Sequence, residues 1–425
     1  FGAGDSNVGK PKTGVAFGHY TTVDTQGIIT GIVVGISNFY VERYDNQGNV
    51  TFSKTIPLEL PIFGAFLAGE NCYYVAYGQK NPDKSDAQEV WRIVKYDKDW
   101  NKVGQASANG GETYTETPFR AAIARMTLSE DGNTLVLYAA RLRYDGHQSN
   151  ITFFLDTNSM TFTEIMGKTF PSNHVSHSFG QFVRFDGDKI MTVDHGDAYP
   201  RSFVLQTLLN SSVKSSVELL DIYGKRGDNV TNAIGCGLEV SDSGYFFLGC
   251  SDSQQGISDD PWNVFLSYTP KPIDTMTFDD GVTISIIKPD TYTSDTWSVS
   301  ANKTWYYFTN LPDRNVFQNY VDAYVEYNES LRTFTWLTDS TVDVNCARLV
   351  KVDDTTLAVL WTQEGNLHMH LVDSQGNLMG EEHIYPCVPM PPTDPVVYNG
   401  TMYWIQVDGT DLDQPCLYQL SISQN

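Results

Sequence analysis

The 425-residue sequence lacks any run of about 18 apolar residues, so nothing in it reads as a membrane-spanning helix. It is short of basic residues. Against 51 Asp and Glu stand only 28 Lys and Arg, and the net charge of −23 repels phosphate backbones and anionic lipid surfaces, which argues against nucleic-acid partners and membrane insertion. None of the six cysteines lies in a C-x-x-C pair, and no histidines flank them at zinc-module spacing, which disfavours a structural zinc site. A G-x-S-x-G elbow, a P-loop, an H-E-x-x-H pair and a 12-residue calcium loop are all missing, so no motif names a reaction. Helical periodicity is nearly absent. The sequence opens at Phe1 without a charged-then-apolar leader, which reads as a mature chain whose signal peptide is gone.

What the sequence has is a hydrophobic content of 41% and an aromatic content of 13%, enough to bury a large core. A hairpin recurs through it: a strand, a polar turn with Gly, Asp or Asn, then an apolar, aromatic-rich strand. The copies read DTQGIITGIVVG (24–35), AGENCYYVAYG (68–78), SEDGNTLVLYA (129–139), FDGDKIMTVD (185–194), SDSGYFFLGC (241–250), SANKTWYYFTN (300–310), VDDTTLAVLWT (352–362) and YNGTMYWIQV (398–407). Their turns lie about 53 residues apart on average, close to a propeller blade. A second hairpin, with a D-x-x-G-N-like turn, follows several copies, as in YVERYDNQGNV (40–50), YVEYNESLRTF (324–334) and LHMHLVDSQGNL (367–378).

Each unit then has four strands, A to D. Units that cannot cover their own sheet edges in a row do so by closing radially. The expectation is an all-β, single-domain β-propeller of eight four-stranded blades, at roughly 13–58, 63–108, 118–166, 175–224, 232–288, 295–340, 344–385 and 393–425. The last unit shows three strands, and its fourth is expected from near the N-terminus. If one unit is an insertion, the count becomes seven.

Cys236 and Cys250 flank the turn of unit five and are candidates for a cross-strand disulfide, with two buried thiols as the alternative. Cys346, Cys387 and Cys416 lie in the last two units, where a staple would help to hold the ring shut. Sequons begin at Asn49, Asn150, Asn210, Asn229, Asn302, Asn328 and Asn399 and are candidates for glycosylation.

In a propeller the B–C and D–A connections open on one face, so residues distant in sequence converge there. Those connections hold Asp145, His147, His174, His177, Asp194, His195, Asp197, Tyr199, Arg201 and Asp252, the tentative ligand-binding set. If they hold a cofactor, calcium is the expected one; capping of turns and bracing of loops is the structural alternative. Tyr144, Tyr199 and Trp262 are candidates to stack on sugar rings. Arg226-Gly227-Asp228 precedes unit five and would matter only at a protruding tip.

The stretches DHGDAYPRS, YDGHQSN and HVSHSFGQF resemble a signature of secreted microbial propeller-type proteins to which no activity is assigned. That resemblance implies a propeller fold and an extracellular setting. The expected function is a secreted or cell-surface binding module, without catalysis, that takes a glycan or a protein of a cell surface or matrix on the loop face. A glycan-active extracellular enzyme and a structural part of a coat, appendage or matrix are the alternatives.

Overall fold

The computed structural model describes residues 18–120, 124–168, 178–196, 201–222, 233–252, 261–289, 291, 293–301, 304–339, 341–342, 344, 346–407 and 415–422. Strands that alternate apolar side chains on both faces build antiparallel hairpins, and these assemble into eight sheets. Seven sheets follow one another in chain order, at 19–57, 62–109, 115–166, 178–221, 233–270 with 333–336, 347–386 and 396–421.

The reason they form a ring lies in their second strands. In Cys72–Gly78, Tyr73, Val75 and Tyr77 pack with Phe39 and Phe63 toward the first sheet, whereas Tyr74 and Ala76 pack with Leu135 and Phe153 toward the third. Gly244–Asp252 does the same, with Phe247 facing Phe203 and Phe246 facing Val359. A strand buried on both faces needs a neighbour on each side, and only a closed ring supplies one to every sheet. Seven apolar seams result, the last of which joins Ile405 and Val407 to Ile29, Val33 and Tyr44. There the Ile405 N–H also donates to Thr21 Oγ1 at 2.8 Å.

Some seams need the absence of a side chain. A methyl group on Gly31 would fall 2.2 Å from Ile405 Cδ1, and one on Gly237 would fall 2.5 Å from Leu349 Cβ. The tight turns match their motifs. Asp45, Asp97 and Asp373 each accept backbone N–H bonds from the residues two and four positions on, at 2.8–2.9 Å, and Gly48 and Gly376 take the left-handed conformation that such turns require.

The eighth sheet is placed differently from the other seven. Thr275–Thr277, Thr283–Ser285, Thr296–Ala301 and Thr304–Thr309 lie between the third and fourth strands of the fifth blade, Trp262–Pro270 and Thr333–Trp336, which pair with each other. Blade five then packs directly on the sheet at 347–386. The inserted sheet keeps a core of its own, formed by Val282, Ile284, Tyr306 and Phe308 against Val321 and Tyr324 of a helix, α2 (Phe317–Ser330). Eight sheets are therefore present, and the ring is made by seven of them, the lower of the two counts weighed from the sequence. The stretch 324–334, expected as an outer hairpin, is instead mostly helix because Phe317, Tyr320, Val321 and Tyr324 recur at helical spacing.

The last blade shows three strands among the described residues, and the fourth expected from near the N-terminus falls in residues 1–17, outside them. Blade three carries an extra strand, Thr115–Pro118, on the end of Thr134–Arg143. No helix among the described residues is long and apolar enough to cross a membrane.

Because Tyr268 and Thr333 face each other in register, the insertion can be removed at a hairpin. Replacing residues 272–331 by a short Asn-Gly turn is expected to leave a folded ring. Circular dichroism should keep its β signature, and thermal unfolding should remain a single transition; loss of strand signal would show that the insertion is part of the ring.

Candidate functional site

The ends of the second strands of blades three, four and five point the same way, toward the B–C connections. This end gathers Asp145 and His147 from blade three, Asp194, His195 and Arg201 from blade four, and Asp252 from blade five. Their burial divides them. Asp145 and His147 are exposed at a hairpin tip, whereas Asp194, His195, Arg201 and Asp252 are buried, none more than 9% exposed. His174, His177, Asp197 and Tyr199, with the Arg-Gly-Asp tripeptide, lie outside the described residues.

Asp194 is a cross-blade anchor. Its Oδ2 accepts from Tyr138 Oη at 2.6 Å and from Asn150 Nδ2 at 3.0 Å, both on blade three. Burial, and then the Asp194 carboxylate, hold the Tyr138 phenol well above its ordinary range, so it stays a donor. Asn150 is fully buried in this contact, which rules it out as a glycan acceptor in the folded protein. Among the other sequons Asn49, Asn210 and Asn399 are exposed, Asn328 is half-buried and accepts from the Ile273 N–H at 3.0 Å, and Asn229 and Asn302 lie outside the described residues.

The exposed tip is braced from behind. Arg143 Nη2 pairs with Asp145 Oδ2 at 2.6 Å, the His147 N–H donates to Asp145 Oδ1 at 3.2 Å, and the Arg143 guanidinium lies over the Tyr114 ring. Tyr144 donates to the Ser85 carbonyl at 3.0 Å and accepts from Asn81 Nδ2 at 3.0 Å, so it is occupied in the wall and is not an open platform for sugar. Trp262 is likewise packed, half-buried at the edge of the blade five–six seam. A short helix, α1 (Gly110–Thr113), and the extra strand Thr115–Pro118 raise this wall. Arg141 ties it down through the carbonyls of Thr113, Gly167 and Lys168; burial, and then Arg143, pull its pKa down to about 9, which leaves it protonated at neutral pH.

Sequence reasoning did not find a charged cluster across the ring axis. Arg184 of blade four makes a two-pronged pair with Glu239 of blade five, at 2.6 and 3.2 Å. Asp394, at the entry to blade seven, lies 3.7 Å from Arg125 of blade three and 3.8 Å from Arg184. Blade seven is a sequential neighbour of neither, so the contacts cross the central axis. Arg348 of blade six joins from its own strand, donating to the carbonyls of Ala347 and Pro392 at 2.7 and 2.9 Å. All three arginines occupy the first strands of their blades, a regularity that a scan for position within the repeat would have shown.

The cysteines do not form the expected bridges. Cys236 occupies a bulge between Gly235 and Gly237, Cys250 pairs instead with Ile234, and the two sulfurs stand 3.6 Å apart, beyond the roughly 2.05 Å of a disulfide. Cys346, Cys387 and Cys416 are unbridged as well. Among the described residues no three His, Cys, Asp or Glu side chains gather as a metal site.

No protein-family model matches the sequence, and no curated protein matches it. Solved structures are similar to it at low identity. One comes from a study of two prolyl endopeptidases, at 11% identity over 91% of this chain and 46% of that one, with a TM-score of 0.44. The Dos1 propeller matches at 11% identity over 87% of this chain and 70% of that one, TM-score 0.38; a chain of Drosophila Plexin A in complex with Semaphorin 1b matches at 8% over 96% and 88%, TM-score 0.43. The present chain spans about half the length of the prolyl endopeptidase chain. The propeller assignment rests on the sheet order and the seams.

Removing Asp394 would take from Arg125 and Arg184 the carboxylate that lies near both of them. Asp394→Ala is expected to lower stability by roughly 1–3 kcal/mol, discounted because the groups are partly hydrated, and added sulfate should recover part of the loss. Urea unfolding with and without sulfate measures both; an unchanged midpoint would show that the cluster carries no stability.

Proposed function

We propose that this propeller is a secreted or cell-surface binding module that recognises a glycan or a protein at the end of the ring where the B–C and D–A connections open. The observation that carries the reading is an asymmetry between the two ends. The opposite end, leaving aside the insertion, is closed by tight turns at 24–28, 45–49, 98–101, 129–133, 187–188, 352–355 and 374–377. The loop end has longer connections at 79–88 and 110–123, and the described part of them is organised into a braced wall that holds Asp145 and His147 out to solvent. Ordering long connections costs about 1–2 kcal/mol of conformational entropy per residue, and a rigid scaffold that presents such loops is the usual basis of recognition.

The exposed pair has a carboxylate acceptor and an imidazole, which suit hydroxyl groups of a sugar or polar groups of a protein surface. The extracellular setting is supported by the resemblance of the DHGDAYPRS, YDGHQSN and HVSHSF stretches and by the acidic composition.

The test is binding to a glycan array and to intact cells by flow cytometry. Asp145→Ala combined with His147→Ala should abolish the signal, whereas Glu130→Ala should leave it intact. Glu130 is exposed at the tight-turn end and lines an open groove of about 740 Å³ between blades three and four. Loss of binding in the Glu130 variant alone would overturn the reading. The setting is checked by mass spectrometry of the unreduced protein from its native source. Any disulfide among the six cysteines would support secretion, and six free thiols would count against it.

A further inference from the structure

The inserted sheet has two faces of opposite character. One packs Ile284, Tyr306 and Phe308 on α2. Among the described residues, the other carries hydroxyl groups and aromatic rings. One row across the four strands reads Thr277, Thr283, Thr309 and Thr296, the next is Thr275, Ser285, Tyr307 and Ser298, and Trp305 stands beyond them opposite Ser300. Because paired residues in antiparallel strands point to the same side, all of these share the face turned away from the helix.

Not one of them is charged at neutral pH, in a chain of which 19% is charged. Trp305 is 56% exposed, and Tyr307, half-buried, follows it by two residues on the same face of one strand. The hydroxyls are held in pairs across the sheet: Thr275 donates to Ser285 Oγ at 3.0 Å, and the Thr277 and Thr283 hydroxyls lie 3.0 Å apart. Four strands span about 14 Å, room for more than one sugar ring.

From this we infer that the outer face of the insertion is a binding platform for an uncharged polysaccharide, with Trp305 stacking on a pyranose face and the Ser and Thr rows hydrogen-bonding to ring hydroxyls. The charge argument excludes the other occupants. Anionic glycans, phosphates and nucleic acids call for Arg or Lys, and the described residues of the face include none. Protein interfaces are depleted of Ser at their cores, whereas Ser and Thr dominate this surface. An ordinary solvated sheet face would carry Lys or Glu, which also protect exposed edge strands from pairing with other chains. Their replacement by hydroxyls and an exposed indole fits a ligand that is itself a ladder of hydroxyls over apolar ring faces. The platform is separate from the loop face and does not depend on that reading.

The experiment is affinity electrophoresis of the full chain in gels containing hydroxyethyl cellulose, laminarin, galactomannan or mannan, with an anionic polysaccharide, polygalacturonate, as comparator. At least one neutral polymer should retard the protein, and polygalacturonate should not. Trp305→Ala should weaken retardation about tenfold. Thr309→Lys, which places a charge on the face, should weaken it too, while Asp145→Ala with His147→Ala should leave it unchanged. Both face variants alter exposed side chains, and unchanged thermal unfolding will show that they fold. No retardation by any of the four neutral polymers, retardation indifferent to Trp305, or retardation lost only with the Asp145 and His147 pair would each overturn the inference; the last of these would favour the loop face instead.

Discussion

A blade of this protein cannot exist by itself, because its second strand is apolar on both faces. Tyr73 and Tyr74, neighbours in sequence, are buried in different seams. Each fully buried aromatic or aliphatic side chain is worth about 1.5–3 kcal/mol, and a lone blade would leave half of that gain in water. Ring closure is therefore the condition under which any one blade is stable, and the seam of Ile29, Val33, Tyr44, Ile405 and Val407 is where the condition is met. The chemistry follows from this geometry. Asp394 is more than 200 residues from both Arg125 and Arg184 in sequence and meets them only because the inner edges of their blades share an axis.

Much of this was legible in the sequence. The repeated hairpin, its polar turn and its doubly apolar strand prescribe a sheet that must be covered on both sides, and the Asp-x-x-Gly-Asn turns fix where strands reverse. Less legible was which hairpins belong to the ring. SANKTWYYFTN does form a hairpin, with Ala301 opposite Thr304, yet in its partner strand Thr296–Ala301 the apolar Trp297 and Val299 alternate with Thr296, Ser298 and Ser300, so one face of the sheet is apolar and is covered by a helix. WYYFT is as continuous an apolar run as YVAYG, so that strand hid the difference, and the period of two lies in TWSVSA before it. The β-branched and aromatic composition of α2 disguised a helical spacing that was also present.

The candidate site was legible in a different measure. Position within the repeat places Asp194, His195 and Asp252 at the ends of second strands and Asp145 and His147 in the turn just beyond one, all at one end of the sheets. Residue type alone did not reveal that Asp194 turns inward to Tyr138 and Asn150, because a buried carboxylate and an exposed one look the same in sequence until its donors are known. Burial of Asn150 follows from the same contact, and a sequon gives no hint of it. The axial arginines escaped notice because each stands alone in its own strand; only the ring makes them a group.

The bare backbone of Gly31 against Ile405 gives the ring a property that no single blade has. Seven wedges must complete one full turn, and a closed circle distributes any error in one wedge among all the others. A methyl group on Gly31 would first meet Ile405 Cδ1, a side-chain end that can turn aside, whereas one on Gly237 would meet Leu349 at Cβ and at its backbone and push two blades apart, and the surplus angle would travel to the other seams. Small residues at blade boundaries thus act as shared tolerances: the distance between braced loops on one side of the molecule is set by contacts made on the other.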